Sequence, residues 1–252
     1  MDGMLKLRDG AVDAFVSAGS TGAVLSGGMF RLGRLKGIDR PALAPLLPNG
    51  KDYFLLIDCG ANVDCRPEYL HQFALMGKAY MQGMRGMENP RIGLVNNGAE
   101  AEKGCALTKE TYPLLEGDKN LNFVGNIEGR EVLNDHVDVL VADGFSGNIA
   151  LKSVEGCASF MYNMMKTMFK TNLKTKLAAL LLKDQLGAFK SKMDYRFYGG
   201  GVVMGVNKPV IKAHGASDAL AYKNAIRQAK LCAEYDVPGI IAAKLASLEE
   251  KE

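Results

Sequence analysis

The chain is 252 residues long and 48% apolar, enough to bury a substantial core, which excludes a disordered protein. Its 31 Lys and Arg against 28 Asp and Glu leave a formal charge of +3, too small for wholesale binding to nucleic acid, so any anionic partner is met locally. Five cysteines without a Cys-x-x-Cys pair exclude a disulfide framework and suit a reducing compartment; with no signal core and no apolar run long enough to cross a bilayer, a cytoplasmic location is expected.

Met1 to Arg8 reads as the tail of an amphipathic helix stopped at Asp9-Gly10, so the chain begins inside a repeating pattern. That pattern then recurs five times: a short apolar β-rich run, a Gly-containing polar loop, and a helical stretch. Val12 to Val16 leads into Ser17-Ala18-Gly19-Ser20-Thr21-Gly22 and a helix through about Leu35. Phe54 to Ile57 leads into Asp58-Cys59-Gly60-Ala61-Asn62, with a helix opening near Pro67, a residue suited to the first helical position. Ile92 to Val95 leads into Asn96 to Gly104 and a helix to about Leu115. Val137 to Val141 leads into Asp143-Gly144-Phe145-Ser146-Gly147-Asn148 and a long helix; Pro209 to Ala213 leads into His214-Gly215-Ala216-Ser217-Asp218 and a helix over Ala219 to Glu234. Continuous apolar strands alternating with helices predict an α/β fold with a largely parallel sheet covered on both faces, ligands binding at the carboxyl ends of the strands.

The segment 148–192 breaks the rhythm. Leu151, Val154, Met161 and Met165 continue one helical stripe, and Leu173, Leu177, Leu180 and Leu181 form another, which predicts a projecting helical hairpin. From Lys166 to Lys192, seven lysines less one acid, Asp184, give a local charge of +6. Such a hairpin either lies on an anionic membrane or docks an acidic protein, or packs its leucines against a second subunit with its lysines solvated.

The loop Ala18 to Gly22 turns sharply into a helix, which suits phosphate or carboxylate, although a purely structural turn reads the same way. It is neither a P-loop nor a G-x-G-x-x-G turn. Asn96, Asn97, Glu100, Glu102 and Lys103 crowd the third loop, where Glu100 and Lys103 also make a plausible surface pair. Asn126 has a similar setting, and Arg130 either forks onto a phosphate or pairs with Glu128 or Glu131. In the fourth loop Asp143 offers a carboxylate and Asn148 an amide donor, against a capping role for Ser146 and Asn148. His71 and His136 read as structural, whereas His214, beside Gly215 and Ser217, is the best general acid/base. Cys105 reads as a buried filler, and no catalytic triad or metal-ligand spacing stands out. Direct transfer in an anion-binding cleft, without cofactor or covalent enzyme intermediate, is the expected chemistry.

Taken together the turns are more specific. Ser17-Ala18-Gly19-Ser20-Thr21-Gly22-Ala23, Arg40-Pro41-Ala42-Leu43-Ala44-Pro45, Asp58-Cys59-Gly60-Ala61-Asn62, Asn97-Gly98-Ala99-Glu100 to Lys103-Gly104, Gly125-Asn126-Ile127-Glu128-Gly129-Arg130, Asp143 to Asn148, Tyr198-Gly199-Gly200, His214-Gly215 and Asn224-Ala225-Ile226-Arg227 resemble, in order, the bacterial phosphate acyltransferase family PlsX. The resemblance implies acyl transfer from acyl-[acyl-carrier protein] to inorganic phosphate, no cofactor, a homodimer, and a three-layer α/β/α fold related to phosphotransacetylases and isocitrate-type dehydrogenases. It also implies a cytoplasmic protein held peripherally at an anionic membrane, feeding a membrane glycerol-3-phosphate acyltransferase. The hairpin residues Lys174, Leu177, Leu180, Leu181 and Lys183 are then the expected contact. On this reading 1–252 is one catalytic domain carrying the hairpin.

The mechanism expected from it has phosphate held by backbone N–H groups of Gly19, Ser20, Thr21 and Gly22 and of Gly144 to Asn148, with Lys103 or Arg130 adding charge. Asn126, Asn148 or Ser217 stabilises the oxyanion, and His214 protonates the departing thiolate. Asn62, Asn97, Glu100, Asp143 and Ser146 complete the expected lining. Three departures stand out: the family begins with further elements, including an Asp-Ala-Met-Gly-Gly-Asp turn, absent here; Ser20 stands where Asn is usual; and Ala216 stands where Ser is usual. The late start is expected to remove strands and one cleft wall. The rival readings are a phosphotransacetylase-like acyl-coenzyme A enzyme and an inactive fragment that binds carrier protein or membrane as a scaffold.

Overall fold

The computed structural model describes residues 2–193, 196 and 199–249; Met1 and Tyr198, quoted in the motifs above, and the side chains of Lys190 and Lys192 lie outside the described residues. All five expected strand-turn-helix units are present. They supply β1 (Phe15–Ser17) and α2 (Thr21–Gly27), β4 (Tyr53–Ile57) and α3 (Pro67–Arg85), β5 (Arg91–Asn96) and α4 (Ala106–Gly117), β7 (Val139–Val141) and α5 (Gly144–Lys170), and β9 (Val210–Lys212) and α8 (Ala219–Glu234). The opening helix is α1 (Asp2–Arg8). Pro67 does occupy the first turn of α3. The helix after β1 is shorter than its pattern, giving way to one π turn at Gly28–Leu32 and ending at Gly33, φ +79°.

The sheet is divided. Five strands run in the order β3-β4-β7-β5-β6, where β3 is Leu46–Pro48 and β6 is Asn122–Glu128; β4, β7, β5 and β6 pair in parallel and β3 is an antiparallel edge. Four strands form the second sheet, β1-β9-β8-β2, where β2 is Ala42–Ala44 and β8 is Gly201–Met204; only β1 and β9 pair in parallel. The segment β2-Pro45-β3 passes from one sheet to the other. Pro45 cannot donate to a ladder, which suits it to the crossing, while its carbonyl accepts Leu56 N–H at 3.1 Å and that of Leu43 accepts Cys59 N–H at 3.1 Å. One apolar cluster unites the two sheets, with Ala44, Met204 and Ile211 packed into the same core as Leu55, Ile57 and Val139.

Strands β4 and β7 read as unbroken apolar runs because both their faces are covered. The strands the sequence pattern misses are weaker. β2, β3 and β8 have three or four residues each, and β6 carries Gly125 at φ +96° beside a register shift. A last helix, α9 (Val237–Glu249), packs on α3 and was also illegible, its apolar residues lacking a one-sided stripe.

The projecting element is three helices: α5, then α6 (Leu173–Leu181) and α7 (Lys183–Met193). At 27 residues α5 is about 40 Å long, and only Gly144 and Gly147 in its first turn are buried. α6 packs on α5 and α7 on α6. Asn172 and Thr175 close a capping box at the start of α6. Leu173, Leu177, Leu180 and Leu181 all face outward, Leu173 at 83% exposure, as do Phe160, Met161, Met164 and Met168. Among the described residues, no helix is long and apolar enough to cross a membrane.

Candidate active site

A cavity of about 440 Å³ opens between the two sheets. Pairing sets its floor: Ser17 lies opposite Lys212 in the parallel ladder, and Ala213 N–H donates to Ser17 O at 2.9 Å. The turn Ala18 to Thr21 is therefore brought beside Ala213 to Gly215, and both line the cavity. Leu43, Leu46, Leu47 and Leu151 make its apolar side, and Asn148, Lys152 and Glu155 line it from α5.

The first turn is open to an anion. Ser20 caps α2, its Oγ accepting Ala23 N–H at 3.3 Å, and Gly19 N–H donates to Ser17 Oγ at 3.1 Å. The N–H groups of Ser20, Thr21 and Gly22 meet no acceptor among the described residues. Gly19, Ser20, Thr21, Asn148, His214 and Ser217, six of the expected site residues, line this one cavity.

The turn after β7 is arranged differently from the expected phosphate cradle. Asp143 caps α5 and takes Phe145 and Ser146 N–H on Oδ1, both at 2.9 Å; Gly144 N–H goes to Asn62 O at 2.7 Å and Gly147 N–H to Asp143 O at 2.9 Å. Every N–H from Gly144 to Gly147 thus has a protein acceptor, and Asp143 itself occupies the positive end of the helix. Asn62 is likewise engaged: its Nδ2 donates to Pro41 O and to Asp58 Oδ2, while its N–H reaches the same Oδ2 at 2.6 Å. Asp58 is fully buried and also accepts Leu43 and Ala61 N–H. Burial pushes its carboxyl up to about 6 against the pull of these donors. Gly147 permits the contact, since a Cβ there would stand 1.9 Å from Asp58 O.

The loop after β5 is a separate cluster at the same edge of the parallel strands. Asn96 holds it closed, donating to Lys103 O at 3.0 Å and accepting Asn97 N–H at 2.8 Å. Asn126 Nδ2 donates to Glu100 O at 2.8 Å, and its Oδ1 is buried without a partner among the described residues. Asn97, Glu100 and Lys103 are exposed on this loop and do not line the cavity. Arg130 is exposed and pairs with Glu128 at 2.6 Å, the alternative to phosphate binding. His71 bonds Asp118 at 2.8 Å, a tie between α3 and the turn after α4. Cys105 is exposed at the start of α4, so it is no buried filler.

Three cavity residues escaped the sequence pattern: Lys152, Glu155 and Lys212. Lys152 Nζ lies 2.7 Å from Glu155 Oε2 and 3.1 Å from His214 Nε2. Ala216 N–H donates to His214 Nδ1 at 3.1 Å. Both ring nitrogens therefore face nitrogen donors, Lys152 Nζ at Nε2 and the Ala216 N–H at Nδ1. Lys212 is buried at 9% exposure on β9; burial, and then the charge of Lys152, lower its pKa. Two signals were present in the sequence. Lys152 follows Asn148 by one helical turn, and Lys212 interrupts an otherwise apolar strand.

A family model described as fatty acid synthesis protein matches residues 1–239. The chain belongs to this family. A curated phosphate acyltransferase of Geobacillus thermodenitrificans is 51% identical over 242 residues, covering 95% of this chain and 73% of that protein. The Bacillus subtilis phosphate acyltransferase is 48% identical over 247 residues, 98% of this chain and 74% of that protein. Among solved structures, a phosphotransacetylase of Streptococcus pyogenes superposes with a TM-score of 0.58 at 20% identity, covering 93% of this chain and 66% of that one. A branched-chain phosphotransacylase of Enterococcus faecalis gives 0.59 at 16% identity, 92% and 78% covered. These two likenesses concern the fold, and the divided α/β architecture of this family member is theirs.

Proposed function

We propose that this family member transfers an acyl group from acyl-[acyl-carrier protein] to inorganic phosphate, releasing acyl phosphate and the free carrier thiol. The observation that carries the reading is the cavity, which joins an apolar wall, Leu43, Leu46, Leu47 and Leu151, to a polar wall of free N–H groups, two lysines and His214. One side suits an acyl chain and the other a phosphate. The roughly 50% identity to phosphate acyltransferases supports the same chemistry.

In the proposed step a phosphate oxygen forms a bond to the thioester carbonyl carbon, and the carbonyl electron pair moves to oxygen. Asn148, at the start of α5, donates to that oxyanion, with Ser217 as the hydroxyl on the facing wall. When the tetrahedral adduct collapses, the C–S bond breaks and its electron pair leaves on sulfur. The imidazole of His214 takes the proton lost by hydrogen phosphate as the new bond forms and, as imidazolium, gives it to the departing thiolate, with Lys152 held beside Nε2. Lys103, on the neighbouring loop, and Asn126, on β6 and bonded to that loop, are proposed contacts for the donor. The outward-facing leucines of α6, with Lys174 and Lys183 beside them, are the proposed contact with an anionic membrane surface or with a second copy in a homodimer. A cytoplasmic protein supplying a membrane glycerol-3-phosphate acyltransferase fits this reading.

The test is phosphate-dependent thiol release measured with acyl-carrier protein and with acyl-coenzyme A as donors. Turnover with the carrier-protein donor is expected, falling 10- to 1,000-fold in Asn148→Ala. Release only from acyl-coenzyme A would select the phosphotransacetylase-like reading, and carrier or vesicle binding without release would select the scaffold.

A further inference from the structure

We propose that Lys212, with Lys152 and the N–H groups of Ser20 and Thr21, forms the phosphoryl-binding site of the cavity, with inorganic phosphate as its occupant. The inference deepens the acyl-transfer reading, and its kinetic arm rests on it.

Lys212 carries the argument. It is 9% exposed, and its Nζ donates to Ala213 O. No carboxylate pairs with it among the described residues. A buried ammonium without a counter-ion is costly, and replacing such a group by an apolar one usually stabilises a fold. The charge of Lys152, of the same sign, acts on it and lowers its pKa further. Lys152 is matched by Glu155, which leaves the charge of Lys212 uncompensated. An anion in the cavity removes that cost.

The donors stand on several walls of the cavity. Ser17 and Lys212 are opposite one another in the ladder, so the donors of Ser20 and Thr21 line the cavity from the adjoining strand end while the lysines line it from β9 and α5. Gly200 lets the facing segment pack directly on the backbone of Lys212. It adopts φ +124°, and a Cβ there would stand 2.6 Å from Lys212 O. Donors on several walls suit phosphoryl oxygens pointing in several directions, and fixed backbone N–H groups are well suited to them. The other glycine-rich turn is excluded as the site because Asp143 already fills it.

The test uses the full chain and the variants Lys212→Met and Lys212→Arg. In thermal unfolding with inorganic phosphate alone, the wild type is expected to gain stability with rising phosphate and Lys212→Met is not, while Lys212→Met without phosphate melts no lower than the wild type. This arm needs no turnover, so it stands even if acyl transfer is not detected. In thiol-release kinetics Lys212→Met is expected to raise the KM for phosphate at least tenfold with the donor KM within twofold, and Lys212→Arg to recover part of the loss. Two binding or kinetic results would overturn the proposal. One is phosphate stabilisation and phosphate KM within twofold of wild type in Lys212→Met. The other is a raised KM confined to the donor, which would give the lysine to the phosphodiester of the donor's pantetheine arm. Lower stability of Lys212→Met without phosphate would mark a structural role and count equally against it.

Discussion

The turn from β1 into α2 and the turn from β7 into α5 are built from the same parts: a buried strand, a glycine, hydroxyl and small residues, and a helix N-terminus. The first is capped by Ser20 and leaves three N–H groups without a protein acceptor; the second is capped by Asp143, and its neighbours use every donor from Gly144 to Gly147. The cap decides the outcome. A neutral hydroxyl satisfies one donor and leaves the helix end electropositive, whereas a carboxylate satisfies two and supplies the negative charge itself. A glycine-rich turn after a parallel strand is thus an anion site only when its own cap does not fill it.

The largest expected effect comes from the packed turn. Gly147→Ala sets a Cβ against Asp58 O, backbone that cannot rotate away, and should lower stability by about 3 kcal/mol in urea unfolding. A loss within experimental error would show that α5 is free to shift and that the second turn can open.

Asp58, beneath that same turn, gives a comparable effect through pH. Its carboxyl, normally near 3.8, is raised to about 6 in the fold, so the folded state holds the proton more tightly than the unfolded one. The stability it adds is complete below about pH 4 and is lost as pH rises through about 6, a fall of at most about 3 kcal/mol. Asp118, Asp135 and Asp218, whose carboxyls are held low by hydrogen bonds and cations, lose stability as pH falls, outside that window. A carboxyl-carbon NMR titration of Asp58 should show a midpoint near 6, and a midpoint below about 4 would contradict the dominance of burial.

Exchanging the caps tests the comparison directly. Ser20→Asp puts a carboxylate in the open turn and should raise the KM for phosphate about tenfold while leaving stability unchanged or slightly higher. Unchanged phosphate kinetics would remove that turn from the site. The reciprocal change, Asp143→Ala, should cost about 1 kcal/mol as a lost cap, with little effect on phosphate KM; a large rise in that KM would return the second turn to phosphate binding.

Much of the site was legible because it depends on local sequence. The strand ends, the turns at Ala18 to Gly22 and His214 to Ser217, and the helix over Ala219 to Glu234 follow from apolar runs, glycine and capping residues, and each occurs where the pattern sets it. The role of Arg130 was open because it has a local alternative, a pairing with Glu128, and that is the one formed, whereas the cap of the fourth loop is Asp143 and not Ser146 or Asn148, the candidates the sequence suggested. Lys152, Glu155 and Lys212 stayed hidden because their importance comes from what they face. Lys152 and His214 are 62 positions apart and meet at 3.1 Å.

By itself the sequence determined the α/β class, the five strand-turn-helix units and the basic, leucine-bearing arm, since helix and strand periods and turn chemistry act over a few residues. Only the tertiary structure decided that the strands divide into two sheets, that a cavity opens between them, and which glycine-rich turn keeps its donors free. Those outcomes depend on pairing between distant segments and on which backbone donors find a protein partner, and neither is written in any one stretch of the chain.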